Sequence, residues 1–377
     1  MKRIAALALA GLILIGCAAV YASGGSASDP LVPLSYLTGT YIPGVVSQAE
    51  TRVDSATGQT YQTALNDLNA RHAAYSGEGS GSAALTDRRV KRGDCFTLSA
   101  GSGAVLLAGS ASVTFSSGAV VDVTAGQSVP SGTSLTARHR YLAAEQTSAA
   151  VTITSDTAVI CLEGTFLTTL STEVDYNALA DALKEMGMFK GGDLSYGSGY
   201  DLERAPTRIE GLIMFLRLLG EEQAALSHAG PCPFADVPAW CQGYVSYAYE
   251  QGYTKGVGTN ASGTLVFGTN NTITAGEYVT FVLRALGYTD SGSAPDFAWN
   301  TALAKGMETG VLTAGEHKIL TERPFLRAQV AYLSYFALSA QMKDGGGTLL
   351  DALAAGGGVD RAAVGAIISG VTVARIS

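Results

Sequence analysis

The chain has 377 residues, room for two or three domains at roughly 150 residues each. Hydrophobic residues make up 47% and charged residues 15%, so the chain can build real cores, and global disorder is excluded. The net charge of −8 lacks the basic footprint of a nucleic-acid binder, and past the N-terminus no uninterrupted apolar run approaches the ~18 residues of a membrane span.

Lys2 and Arg3 precede an apolar stretch from Ile4 to Ile15, the pattern of an export leader. Two processing sites compete. Val20-Tyr21-Ala22 ahead of Ser23 fits small-residue cleavage and gives a signal peptide over 1–22. Leu14-Ile15-Gly16-Cys17 resembles a lipobox, in which Cys17 is lipidated. Both routes predict a secreted protein that works outside the cytoplasm, with no membrane span in the mature chain.

With Cys17 removed or lipidated, Cys95, Cys161, Cys232 and Cys241 remain. Export permits Cys95–Cys161 and Cys232–Cys241 disulfides, and small buried thiols are the alternative. No Cys-x-x-Cys occurs and the histidines are scattered, so neither a metal nor another cofactor is expected.

Residues 23–87 read as a spacer, a helix and a linker. Tyr61, Leu65, Leu68 and His72 recur at helical spacing, which predicts a helix from Ser47 to about His72, weakened by Gly58. Residues 76–84 are Gly and Ser rich and read as a flexible linker.

From 88 to 170 the pattern changes to short runs with partial period-two alternation, among them Ala104-Val-Leu-Leu-Ala108 and Val151-Thr-Ile-Thr154. Glycines separate them, which predicts a small all-β domain, a sandwich or a barrel. The basic cluster Arg88-Arg89-Val90-Lys91-Arg92 stands at its entrance, as a solvated edge, a grip for an anionic polymer or a site open to a protease. Asp94, Asp122, His139, Glu145, Asp156 and Glu163 are its candidates for acid–base chemistry. No nucleophile-elbow, zincin or P-loop motif accompanies them, so no catalytic residue is assigned.

From about 174 the pattern turns helical and repeats. Leu216-Arg217-Leu218-Leu219-Gly220 overlies Leu283-Arg284-Ala285-Leu286-Gly287 at an offset of 67, which also sets Thr207 on Thr274 and Glu210 on Glu277. A weaker third copy runs through Arg327. Repeats over about 174–228, 229–289 and 290–343 predict one supersecondary unit used three times around a shared core. Residues 346–377 are left as a C-terminal tail.

Thr207-x-x-Glu210 and Thr274-x-x-Glu277 are capping boxes that start helices, and Asp236 is expected to cap the helix that follows it. Arg208 lies in a first helical turn, where a cation opposes the helix dipole; it either pairs with Asp201 or Glu203 nearby or, beside free N–H groups, makes an anion site. Trp240 is either core or a stacking platform for a sugar ring.

Phe234-x-Asp236-Val-x-x-Trp240, Tyr247-Ala-x-Glu-x-Gly252, Ile273-Thr274-x-x-Glu277 and Leu283-Arg-Ala-Leu-Gly-Tyr288 together resemble an S-layer homology (SLH) domain, and Pro206-Thr-Arg-Ile-Glu210 is similar to its Ile-Thr-Arg-Ala-Glu signature. The resemblance covers about 175–343. It implies a pseudo-threefold helical domain that docks in inter-repeat grooves on secondary cell-wall polysaccharide, often pyruvylated, with the motif arginine on the ligand carboxylate. Arg208 and Arg327 then become the polysaccharide contacts, with Trp240 beside them. Repeat two has Ala275 in place of the arginine. Repeat three, Leu326-Arg327-Ala328-Gln329, keeps the cation and loses both capping partners.

The expected fold class is therefore α+β and multidomain: an N-terminal helix, a small β-domain and a three-repeat helical domain. The expected function is noncatalytic anchoring to the wall, with the β-domain displayed or joined to other surface-layer proteins. The alternatives are a wall-anchored enzyme with a catalytic β-domain, and a surface lipoprotein or adhesin whose repeats no longer bind polymer. Residues 174–345 hold 12 Lys+Arg against 18 Asp+Glu, so binding would rest on local contacts rather than on long-range attraction.

Overall fold

The computed structural model describes residues 37–77, 82–192 and 199–377. The leader and Cys17 lie outside these residues, as do positions 78–81 of the expected linker.

A first unit reaches Ala74 and is helical. A π-turn, Leu37–Tyr41, runs into α1 (Ile42–Gly77), a helix longer than its periodicity predicts. Gly58 does not interrupt it. Among its described side chains all are exposed, Tyr61 included, so that member of the expected packing stripe faces solvent.

The second unit begins with eleven strands. These are β1 (Ser82–Lys91), β2 (Cys95–Leu98), β3 (Gly103–Ala108), β4 (Ala111–Thr114), β5 (Val120–Asp122), β6 (Gln127–Val129), β7 (Thr133–Ser134), β8 (Arg140–Ala143), β9 (Ala149–Ile153), β10 (Thr157–Gly164) and β11 (Phe166–Thr169). They form an open six-stranded sheet, β1-β10-β3-β8-β5-β6, and an open five-stranded sheet, β11-β2-β9-β4-β7. No barrel closes. Alternation buries one face of strands such as β2, β4 and β9, whereas β10 is buried on both faces over Thr157 to Leu162, and Phe96, Leu106, Val113, Tyr141, Val151 and Ile160 belong to a single core that draws on both sheets. β1 starts inside the stretch expected as linker. Gly109 shows why glycine punctuates the turns: its φ is +83°, and a Cβ there would stand 2.5 Å from the carbonyl oxygen of Thr157.

Helices follow: α2 (Tyr176–Glu185), α3 (Arg208–Leu218), α4 (Glu222–Leu226) and, after a 3-10 turn at Ala239–Cys241, α5 (Gln242–Glu250). A short hairpin, β12 (Gly258–Thr259) and β13 (Leu265–Val266), leads to α6 (Ala275–Ala285). A second 3-10 turn, Trp299–Thr301, precedes α7 (Ala302–Glu308), α8 (Ala314–Glu322) and α9 (Arg327–Ala337). Residues 346–377 are no loose tail. They contain α10 (Leu349–Ala355) and α11 (Arg361–Gly370), and one core runs unbroken from Tyr176 to Val364. The fold class is α+β, a sheet-rich region followed by a helical one. Among the described residues no helix is long and apolar enough to cross a membrane.

The basic cluster lies where the sheets meet the helices. Arg89 forks onto Asp181 of α2 at 2.9 and 3.0 Å, Arg92 pairs with Asp156, and Asn177 donates to the Val90 carbonyl at 3.2 Å. It is a half-buried seam rather than a solvated edge. All four described cysteines are thiols, with Cys161 and Cys241 buried.

Candidate functional site

Three helices of equal length, α3, α6 and α9, carry the matched positions, each starting where the repeat places it. Thr207 and Thr274 accept from the N–H groups of Glu210 and Glu277, and both glutamates reach back to the cap N–H, at 2.7 and 2.8 Å. Such a box satisfies two backbone donors that a helix start otherwise leaves free. The third copy is less bare than its sequence suggests. Leu326 has no side-chain acceptor, but Gln329 Oε1 accepts from the Leu326 N–H at 2.8 Å, which keeps half of the box.

Asp236 does not cap the helix after it. Its carboxylate accepts from the N–H groups of Phe267, Gly268 and Thr269 at 2.7, 2.7 and 3.1 Å. Burial opposes its charge, but these three donors hold its carboxyl below the usual range. The segment it latches supplies the carbonyls of Thr269 and Asn271, which accept from the first N–H groups of α3. Asp236 thus fixes the place from which Arg208 projects.

Arg208 is 5% exposed. Its guanidinium lies near the rings of Phe267 and Phe281, at 5.3 and 5.5 Å from their centroids. One nitrogen donates to Glu277 Oε1 at 2.6 Å, so the cap glutamate of α6 is also the counter-ion of α3. Nε is buried and has no partner. Burial pulls the Arg208 pKa below its ordinary value, and Glu277 opposes this. The residue lines a groove of about 350 Å³ with Gly256, Glu277, Arg284 and Trp299.

A second groove repeats the arrangement one step round. Arg327, also 5% exposed, stands at the start of α9 and lines a cavity of about 290 Å³ with Gly191, Arg204, Glu210 and Arg217. Gly191 matches Gly256, Glu210 matches Glu277, and Arg217 matches Arg284. The Nε of Arg327 is again buried and unpartnered, and burial again lowers its pKa. Its side chain makes no hydrogen bond or ion pair among the described residues. Arg204 occupies Glu210 and Asp201 instead.

A buried donor with no acceptor is costly, roughly 1–3 kcal/mol, and more for a charged group. Two such arginines at matched positions, each lining a groove, suit an incoming oxyanion. Arg217 and Arg284 back them and are themselves held, Arg217 by Glu222 at 2.7 Å and Arg284 by Asp290 at 2.6 Å. The repeated Leu-Arg-x-Leu-Gly motif already contained these two arginines. Trp240 is exposed on its 3-10 turn and is not among the residues lining either groove, whereas Trp299, on the matching turn of the third copy, lines the first.

Five of the six acid–base candidates of the β-region, all but Glu145, are engaged in structural pairs. Asp94 accepts from Lys91 and Ser171 N–H groups, Asp122 holds His139 at 2.8 Å, Glu163 pairs with Arg140, and Asp156 joins the seam. Among the described residues no group of three His, Cys, Asp or Glu side chains is placed to hold a metal ion. Neither the protein-family models nor the curated proteins give a match to the chain.

Proposed function

We propose that the chain is a noncatalytic, exported cell-surface protein that anchors itself to acidic cell-wall polysaccharide through SLH-like repeats. The β-region is then displayed at the surface or joined to a surface layer. The observation that carries this reading is the pair of buried arginines, Arg208 and Arg327, that line matched grooves, each with an unpartnered Nε. The repeat motifs supply the rest. A carboxylated sugar provides the planar anion that a fixed guanidinium recognises, and Trp299 offers a face for its ring.

Cosedimentation of the full chain with purified sacculi tests the proposal, before and after the polysaccharide is stripped. The wild type pellets only with unstripped sacculi, and the Arg208→Ala/Arg327→Ala double variant stays in the supernatant while keeping its circular-dichroism melt. A folded double variant that pellets like the wild type overturns the assignment.

A further inference from the structure

The third position of the pseudo-repeat has Ala275 where the other two have arginine, and Phe336 where they have Arg217 and Arg284. It nevertheless contains a guanidinium. Arg375 arrives from the far end of the described chain. Its NH2 donates to the carbonyl of Val311, as Arg284 NH1 donates to the carbonyl of Tyr253, the matched residue after the helix-ending glycine. The same guanidinium forks onto Glu316 at 2.7 and 2.9 Å and lies 5.5 Å from the Phe336 ring centroid.

The backbone of this segment is held as a ligand backbone would be. The Ile376 N–H donates to the Tyr332 hydroxyl at 2.8 Å, and that hydroxyl donates in turn to Glu316. Thr313 Oγ1 donates to the Ile376 carbonyl. Gly315 leaves room for the chain: any Cβ there would collide with the carbonyl oxygen of Ser377. Val371, Val373 and Ile376 pack against the helical core. Glu316 is 2% exposed, and within this cluster Arg375 is its counter-ion.

We infer that the groove between α8 and α9 is a binding site for an extended peptide, and that residues 371–377 are its resident ligand, anchored by Arg375 on Glu316. An occupied groove is closed to other ligands, which leaves two open ones. The inference is independent of what the open grooves bind.

The test uses the full chain, amide hydrogen exchange, and a labelled peptide with the sequence of residues 371–377. In the wild type the Ile376 amide exchanges about 100-fold or more slowly than in the free peptide, and added peptide does not bind. Arg375→Glu sets like charges together, releases the segment and opens the groove to saturable binding of the peptide. The same peptide carrying Arg375→Ala does not bind. Should Arg375→Glu fail to fold, Gly315→Ala keeps every charge and fills the space beside Ser377, so exchange at Ile376 rises. Three results each overturn the inference: free-peptide exchange at Ile376 in the wild type, a folded Arg375→Glu chain that binds no peptide, or Gly315→Ala with unchanged exchange.

Discussion

The side-chain amide of Gln329, in the first turn of α9, donates to Asp156 Oδ2 at 2.8 Å, joining the helical region to the loop between β9 and β10. The other oxygen of that carboxylate accepts from Arg92 and Arg323, at 2.9 and 3.1 Å. Asp156→Ala therefore strands three donors, but not equally. Arg92 and Arg323 can turn to water, whereas Gln329 is buried. Asp156→Ala is expected to lower stability by roughly 1–3 kcal/mol, the cost of a buried polar group left unpaired. It is also expected to split the thermal melt into separate β and helical transitions. A single unshifted melt would show that the seam carries no coupling.

Glu277→Gln separates the two tasks of Glu277. Glutamine still serves a capping box, so the melt should move little. The negative charge beside Arg208 disappears, and the guanidinium is freed for an incoming anion. Binding to unstripped sacculi should tighten by a factor of about 3–10, on the scale of one net hydrogen bond. Weaker binding would mean that Glu277 orients Arg208 rather than competing for it.

Thr274→Ala removes the hydroxyl that accepts from the Glu277 N–H at 3.2 Å. The expected loss is about 1 kcal/mol of stability by chemical denaturation, as for other helix caps. Because Glu277 bridges the box and Arg208, a small loss of sacculus binding should accompany it.

Acid should destabilise the helical region through the cap carboxylate of Glu210. Burial alone would raise the Glu210 pKa, but the fork from Arg204 and the Thr207 N–H hold it down at about 2, against an ordinary 4.5. A depressed folded-state pKa adds stability that is complete above the unfolded value and is lost as protons bind the native state. Stability should thus be flat above about pH 5 and fall between roughly pH 4.5 and 2. Glu210→Gln should be less stable at neutral pH and should show a shallower acid limb in urea titrations at stepped pH.

Local signals in the sequence proved dependable where the chain decides its structure locally. The Thr-x-x-Glu pairs at 207 and 274 and the glycine-punctuated runs of 95–169 need only near neighbours, and they form the caps and strands described above. What was hidden depends on long separations. Asp236 looked like a cap because Asp is a favoured cap residue and Pro238 fits a first helical turn, yet its carboxylate meets N–H groups some thirty residues away. Nothing near Asp156 announces Gln329, and nothing in 371–377 announces Glu316. Trp299 escaped notice because its repeat lacks the Phe-x-Asp-Val opening that drew attention to Trp240.

The Arg208–Glu277 contact also bears on how such a module can vary. The carboxylate that begins one helix neutralises the arginine that begins the helix one repeat earlier in the chain, so neither residue can drift alone. Replacing Glu277 by a residue that cannot cap would fray one helix and unbalance a neighbour, and losing Arg208 leaves the Glu277 carboxylate without its cation. These two copies are coupled through that one contact, and a graft of the first repeat into another protein would have to bring the neighbour's glutamate with it.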